Sequence, residues 1–288
     1  MRKVAIITDS NSGISQKEGT ALGVRVLPMP FTINGETFYE DINLTQNEFY
    51  EKLMSNAEVF TSQPLVGDVS ILWNEVLEEY DEIVHIPMSS GLSGSCQTAI
   101  MLAEEYDGKV EVVDSQRISV TQKWDVLHAL ELSKQGKSAK EIKEILEETK
   151  LDASIYITVN TLEYLRKGGR ITPAAALLGN MLKIKPILQI QGEKLDSFAK
   201  TRTMNKATKI MLDASIKDIE TRIDPISKGE NAYICIAYTY DKEPALELKK
   251  QLTALYPQHE IFCDPLSLSV SCHIGPHALA IAVCKKIV

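Results

Sequence analysis

Three apolar runs in the first half of the chain end in polar tips and lead into stretches of helical spacing: VAIITDS (4–10), EIVHIPM (82–88, then Ser89-Ser90) and KVEVVDS (109–115). Apolar strands alternating with helices belong to a parallel sheet covered on both faces. Right-handed crossovers then place every C-terminal strand end on one edge, where open α/β sheets bind ligands. Thr8-Asp9-Ser10, Ser89-Ser90 and Asp114-Ser115 therefore share an edge, and a fourth polar loop, TSQP (61–64), can reach it. Between these elements, Asn34-Gly35 predicts a hairpin turn. Thr45 with Glu48, and Ser138 with Glu141, predict capping boxes. Pro64 is expected to open a helix that runs to Tyr80.

The second half reads differently. ASIYITV (153–159) is a strand, and TPAAALLGNMLKI (172–184) a helix capped by Thr172. PILQIQGEKLDSF is a hairpin around Gly192, and a long helix spans about 203–223. NAYICIAYTY is a strand and PALELKKQLTALY a helix, while EIFCDPLSLSV and ALAIAVCKK close the chain as strands. The short strand spacing and the hairpin imply a mixed or antiparallel sheet. The expected fold class is α/β with two domains. Residues 1–150 form a parallel sheet with helices on both faces, and 151–288 an α/β domain with a mixed or antiparallel sheet, the boundary falling at 149–152.

Composition removes several function classes. The 288 residues carry a net charge of −8 and no basic run, which argues against a nucleic-acid partner. No segment approaches the roughly 18 uninterrupted apolar residues of a membrane span, so stable membrane insertion is not expected. MRKVAIITDS turns polar too soon for a signal peptide. The five cysteines (96, 235, 263, 272, 284) form no CxxC pair and read as reduced thiols, mostly in the core. The expected compartment is the cytoplasm.

The loop SSGLSG (89–94) between a strand and a helix suits an anion. None of the 15 glycines has another two positions on, so GxGxxG is absent, and no Walker A loop occurs. There is no GxSxG elbow. His273 and His277 stand four apart, but Gly275-Pro276 intervene and no HExxH glutamate accompanies them, so a metal site is not expected. The acidic pairs Glu78-Glu79, Glu104-Glu105 and Glu147-Glu148 read as solvated helix faces. Ser10, Asp114 and Ser115 read as helix caps, whereas Thr61 and Ser93 read as ligand groups. His273 is a satisfied loop residue unless it meets the edge that carries Ser93. The helix PAAALLGNMLKI is either a core helix or the wall of an apolar channel. Three functions stay open on these residues: a carrier of an anionic ligand with an apolar tail, a hydrolase or transferase using Ser93 with His273, and a phosphate-binding module.

Eight short motifs occur in order: ITDS (7–10), TSQP (61–64), SSGLSGS (89–95), VVDS (112–115), LRKGGRIT (165–172), LLGNMLKIKPIL (177–188), TRT (201–203) and HIGP (273–276). In these the chain resembles the DegV family of bacterial fatty-acid-binding proteins over nearly its whole length. The resemblance implies a long-chain fatty acid held between two α/β domains, with no catalytic residue and no cofactor. Thr61, Ser93, Gly94 and His273 would hold the carboxylate beside Ser62, and Arg170 would lie near the domain interface. Some such proteins serve as the binding subunit of an ATP-dependent fatty acid kinase, which makes acyl phosphate for phospholipid synthesis. Arg202 would face that partner. The chain keeps Ser119 after Asp114-Ser115 but lacks the family's two glycines there, and His277 stands where the family has a glycine. Both changes put bulkier side chains near the implied site.

Overall fold

The computed structural model describes residues 3–55, 57–177, 184–192, 194–227 and 229–287. The first half runs β1 (Val4–Asp9), α1 (Gln16–Leu22), β2 (Val24–Leu27), β3 (Pro30–Ile33), β4 (Glu36–Tyr39), α2 (Gln46–Met54), β5 (Val59–Thr61), α3 (Val66–Leu77), β6 (Glu82–Ile86), α4 (Ser95–Ala103), β7 (Val110–Val112), α5 (Ser119–Lys134) and α6 (Ala139–Glu148). The second runs β8 (Ala153–Thr158), α7 (Glu163–Gly168), α8 (Pro173–Leu177), β9 (Lys185–Ile190), β10 (Asp196–Thr201), α9 (Met204–Asp218), β11 (Ala232–Tyr238), α10 (Glu243–Leu255), β12 (Ile261–Pro265), α11 (Leu268–Ile274) and β13 (Leu279–Lys285).

The continuous apolar runs become a parallel sheet of order β2-β1-β6-β7. Alternate residues serve opposite faces, as the two-residue strand period requires. Ile6 and Val84 pack on Val126 of α5 and Leu146 of α6. Ile7 and Ile83 pack on Trp73 of α3 and Ala99 of α4. Helices thus cover both faces. A second, antiparallel sheet of order β4-β3-β5 stands beside it. Its hairpin turns at Asn34 and Gly35, with φ of 51° and 84°, the doubly positive pair of a type I′ turn. The Thr45 and Ser138 capping boxes both form.

TSQP is not wholly a loop: Thr61 ends β5 and pairs with Phe31. The helix after it starts at Val66 and ends at Leu77, inside the expected span, because Leu65 is still extended (φ −63°, ψ 137°).

The second half forms one sheet of order β10-β9-β8-β13-β11-β12, antiparallel except between β11 and β12. The expected hairpin around Gly192 joins β9 to β10. The long helix is α9, capped by the Thr203 hydroxyl and extended by a π-helical turn, Ile219–Ile223. Of the helix expected over 172–184, Pro173–Leu177 is helical and Ile184 is not, while 178–183 lie outside the described residues. The strand expected through EIFCDPLSLSV stops at Pro265, and from Leu268 the chain is helix α11. Leu-Ser-Leu-Ser-Val alternates like a strand. Yet Leu268, Ser269, Val270, Ser271 and Cys272 are all buried. A helix buried all round carries no 3.6-residue period to read.

One face of the six-stranded sheet packs on α9 and α10 through Tyr156, Ile234 and Ile281. Ile155, Ile157, Leu188 and Ile190 on the other face meet Met88, Leu92, Ile118 and Val120 from the first half. This shared core contains the cavity described next. The cysteines are all free thiols, four of them buried.

Candidate ligand site

The loop after β6 is shaped by its own hydroxyls and by Asp114. Ser90 donates its N–H and hydroxyl to the Asp114 carboxylate at 3.2 and 2.6 Å. The Ser89 N–H bonds Arg117 O at 2.8 Å, and Leu92 and Ser93 donate back to Ser89 O. Asp114 therefore props this loop and does not cap the helix after it, which starts without a side-chain cap. Ser10 likewise accepts the Met29 N–H at 3.1 Å and caps nothing. Ser93 ends the loop, with its hydroxyl 2.9 Å from that of Ser95. Gly94 is the N-cap residue of α4.

Helix α11 supplies the imidazole. Its first N–H, from Leu268, is taken by Glu40 at 2.9 Å, and Tyr50 donates to Ser271 at 3.0 Å. Burial pushes the Glu40 carboxyl up to about 7. His273 sits in the last turn of this helix, not in a loop, and its Nε2 lies 2.8 Å from Thr61 Oγ1. The ring rests on the backbone of α7. A β-carbon on Gly168 would fall 2.0 Å from His273 Nδ1, so only glycine leaves room for the imidazole. Gly275 (φ 75°) follows, against the ring of Tyr164. Arg170 donates to Leu92 O at 3.1 Å and to Gly168 O, clamping the two segments together.

Burial, and then the Arg170 guanidinium, lower the His273 pKa to about 4. A folded pKa below the unfolded value means that this group favours the folded state above pH ~6.5. That contribution is lost as pH falls through about 4. At neutral pH the ring is uncharged. With Nε2 protonated, it donates to Thr61, which frees the threonine O–H for an acceptor in the cavity.

Thr61, Ser62, Ser93, Gly94, Arg170 and His273 all line one cavity of about 270 Å³. Ile118, Val120, Ile155, Ile157, Ile190 and Ile274 form its apolar wall. His273 and Ser93 thus share an edge, although no hydrogen bond joins them among the described residues. Ser62 is exposed and donates its N–H to Pro30 O. Arg202 lies outside this lining, exposed between β10 and α9. His277 is exposed too and pairs with Asp241, so it puts no bulk into the cavity. Four further polar residues line the cavity that the sequence does not mark as ligand groups: Asn11, Gln63, Ser119 and Ser269. Ser269 stands four residues before His273, a spacing that reveals it once α11 is known to be helical. No cluster of metal-ligating side chains occurs among the described residues, nor any helix long and apolar enough to cross a membrane.

The model of the DegV family, whose description is of an uncharacterised protein, matches residues 3–286. The chain belongs to the DegV family. Protein DegV of Bacillus subtilis is 32% identical over 98% of this chain and 99% of its own. A DegV domain-containing protein of Staphylococcus aureus is 31% identical over 99% and 100%. Among solved structures, a DegV family protein from Thermus thermophilus described as fatty-acid binding superposes with a TM-score of 0.89 at 30% identity, covering 99% of this chain and 100% of the other. The fatty-acid-binding DegV of Bacillus subtilis gives 0.88 at 30% identity over the same shares.

Proposed function

We propose that this DegV protein binds a long-chain fatty acid between residues 1–150 and 151–288 and presents its carboxylate to a separate ATP-dependent fatty acid kinase, without catalysing a reaction itself. The observation that carries this reading is the Thr61–His273 couple, 2.8 Å apart, in a cavity with a broad apolar wall. A buried carboxylate is costly unless hydrogen-bonded. The Thr61 and Ser93 hydroxyls and the Gly94 region of α4 offer donors, while the neutral imidazole spends its one N–H on orienting Thr61, with Arg170 adding positive charge nearby. Each CH₂ moved from water onto the isoleucine wall contributes about 0.8 kcal/mol, so a long tail supplies most of the affinity. The fatty-acid binding of the two similar solved structures supports the same ligand. A Ser93–His273 nucleophile has no such support, since His273 Nε2 engages Thr61 and Ser93 pairs with Ser95.

Native mass spectrometry of the protein purified from cells is the direct test. A bound mass in the fatty-acid range is expected, and an empty protein that takes up no added acid overturns the reading. Thr61→Val keeps the shape and removes the hydroxyl. It should weaken acyl binding about tenfold, the loss of one hydrogen bond to a charged group. Arg202→Ala should spare lipid binding and lower acyl phosphate formation by a kinase partner, and undiminished kinase output would remove Arg202 from that role.

A further inference from the structure

The cavity wall carries polar side chains for which a carboxylate at Thr61 and His273 has no use. Ser119 opens α5 with φ 56°, in the left-handed region that a non-glycine residue rarely adopts. It is 4% exposed and lines the cavity, and its hydroxyl makes no hydrogen bond to any described residue. Such strained, over-determined backbone clusters at ligand clamps. Asn11 lines the same cavity at 1% exposure. Its amide donates to Met88 Sδ at 2.9 Å, a weak acceptor, and its Oδ1 accepts from Ser269 Oγ.

One node holds these groups on a shared wall. The Asp9 carboxylate accepts the N–H groups of Asn11 (3.0 Å) and Met88 (2.8 Å) and the Gln122 amide (3.2 Å). Gln122 lies three residues after Ser119 on α5, so both stand on one helix face. Ser269 stands four residues before His273, which places this belt roughly 6 Å along the axis of α11 from the imidazole. A saturated chain running past it would cover the Ser119 hydroxyl and leave it unpaired, an unfavourable burial.

We propose that Ser119 and Asn11, with Ser269 behind them, form a second recognition point for an oxygen on the acyl chain, and that the preferred ligand is a fatty acid hydroxylated close to its carboxylate. A hydroxyl both donates and accepts. It can accept from the Asn11 amide or the Ser119 O–H and donate to the Ser119 oxygen. The proposal rests on the fatty-acid reading of this cavity.

The test compares the affinities of hexadecanoic acid, its 3-hydroxy derivative and a distal 12-hydroxy isomer, by calorimetry on the delipidated full-length chain and on Ser119→Gly. Glycine accepts the left-handed backbone, so this variant should fold at least as well as the parent. The parent is expected to prefer the 3-hydroxy acid to both others. Ser119→Gly should shift the ratio of 3-hydroxy to plain affinity at least tenfold toward the plain acid. If hexadecanoic acid binds but this ratio favours it in the parent and is unmoved by Ser119→Gly, the belt orders only water and the proposal falls. If none of the acids binds, the fatty-acid reading itself falls.

Discussion

Gly168→Ala should weaken acyl binding by roughly 30- to 100-fold, about 2–3 kcal/mol, while leaving the fold intact. Nothing in the local backbone calls for glycine here. Gly168 ends helix α7 at a negative φ, where alanine is the better helix former by about 1 kcal/mol. The obstacle is His273. The new methyl would sit 2.0 Å from Nδ1 and 2.7 Å from Cε1, far inside van der Waals contact. The ring cannot slide toward solvent without leaving Thr61 Oγ1, now 2.8 Å from its Nε2. The α7 backbone cannot yield easily either, because Arg170 ties Gly168 O to the loop at Leu92. A double-mutant cycle isolates the effect. In a His273→Ala background, Gly168→Ala should change affinity by less than threefold, since the clash has no partner left. Additive losses in the double variant, or parental affinity in Gly168→Ala alone, would show that the glycine does not position the imidazole. The thermal midpoint separates both results from simple unfolding.

This dependence marks what a sequence can and cannot reveal. The strands were legible where burial is two-sided and continuous, as in Val4–Asp9. The polar tips were legible as one edge, because parallel topology leaves no other arrangement. Thr61, Ser93 and His273 were singled out from short motifs, and the fold puts all three on one cavity. Ser119 was noticed only as a matching letter of a motif, since an unpaired hydroxyl and a positive φ are three-dimensional facts. Asp114 was read as a cap because aspartate before a helix usually is one. Its real partner, Ser90, lies 24 residues away on the next strand tip. The period-two pattern of 266–270 was misread for the opposite reason: a short helix buried on every side imposes no pattern. Gly168 in LRKGGRIT was visible as a letter, but its reason is the proximity of a ring 105 positions along the chain, which no local spacing encodes.

Asp125→Leu should destabilise the protein by about 3–5 kcal/mol, the cost of leaving a buried charge without its partner. Asp125 and Arg117 are 0% and 2% exposed and meet at 2.7 Å. Arg117 also donates to Thr149 O at 2.7 Å, and its own carbonyl accepts the Ser89 N–H. The pair thus connects α5, the end of α6 and the site loop. Its satisfaction is incomplete: Asp125 Oδ2 and Arg117 Nε lack partners among the described residues, and burial pushes the Asp125 carboxyl up to about 6 despite the arginine. Apolar replacement of both, Arg117→Met with Asp125→Leu, should therefore recover at least half of the loss. The two single variants should differ in their response to pH. An orphaned Arg117 cannot deprotonate, so the stability of Asp125→Leu itself gains no pH dependence from this site between pH 5 and 8, whereas the parent's Asp125 titrates near 6. An orphaned Asp125 can take up a proton. Without its arginine, its folded pKa rises further above the unfolded value of about 3.9. The stability of Arg117→Met is then retained at low pH and lost as pH rises through that folded pKa. Denaturant unfolding at pH 5 and pH 8 reads both effects, and a penalty for Arg117→Met that does not grow from pH 5 to pH 8 would mean that the arginine does not hold the Asp125 pKa down.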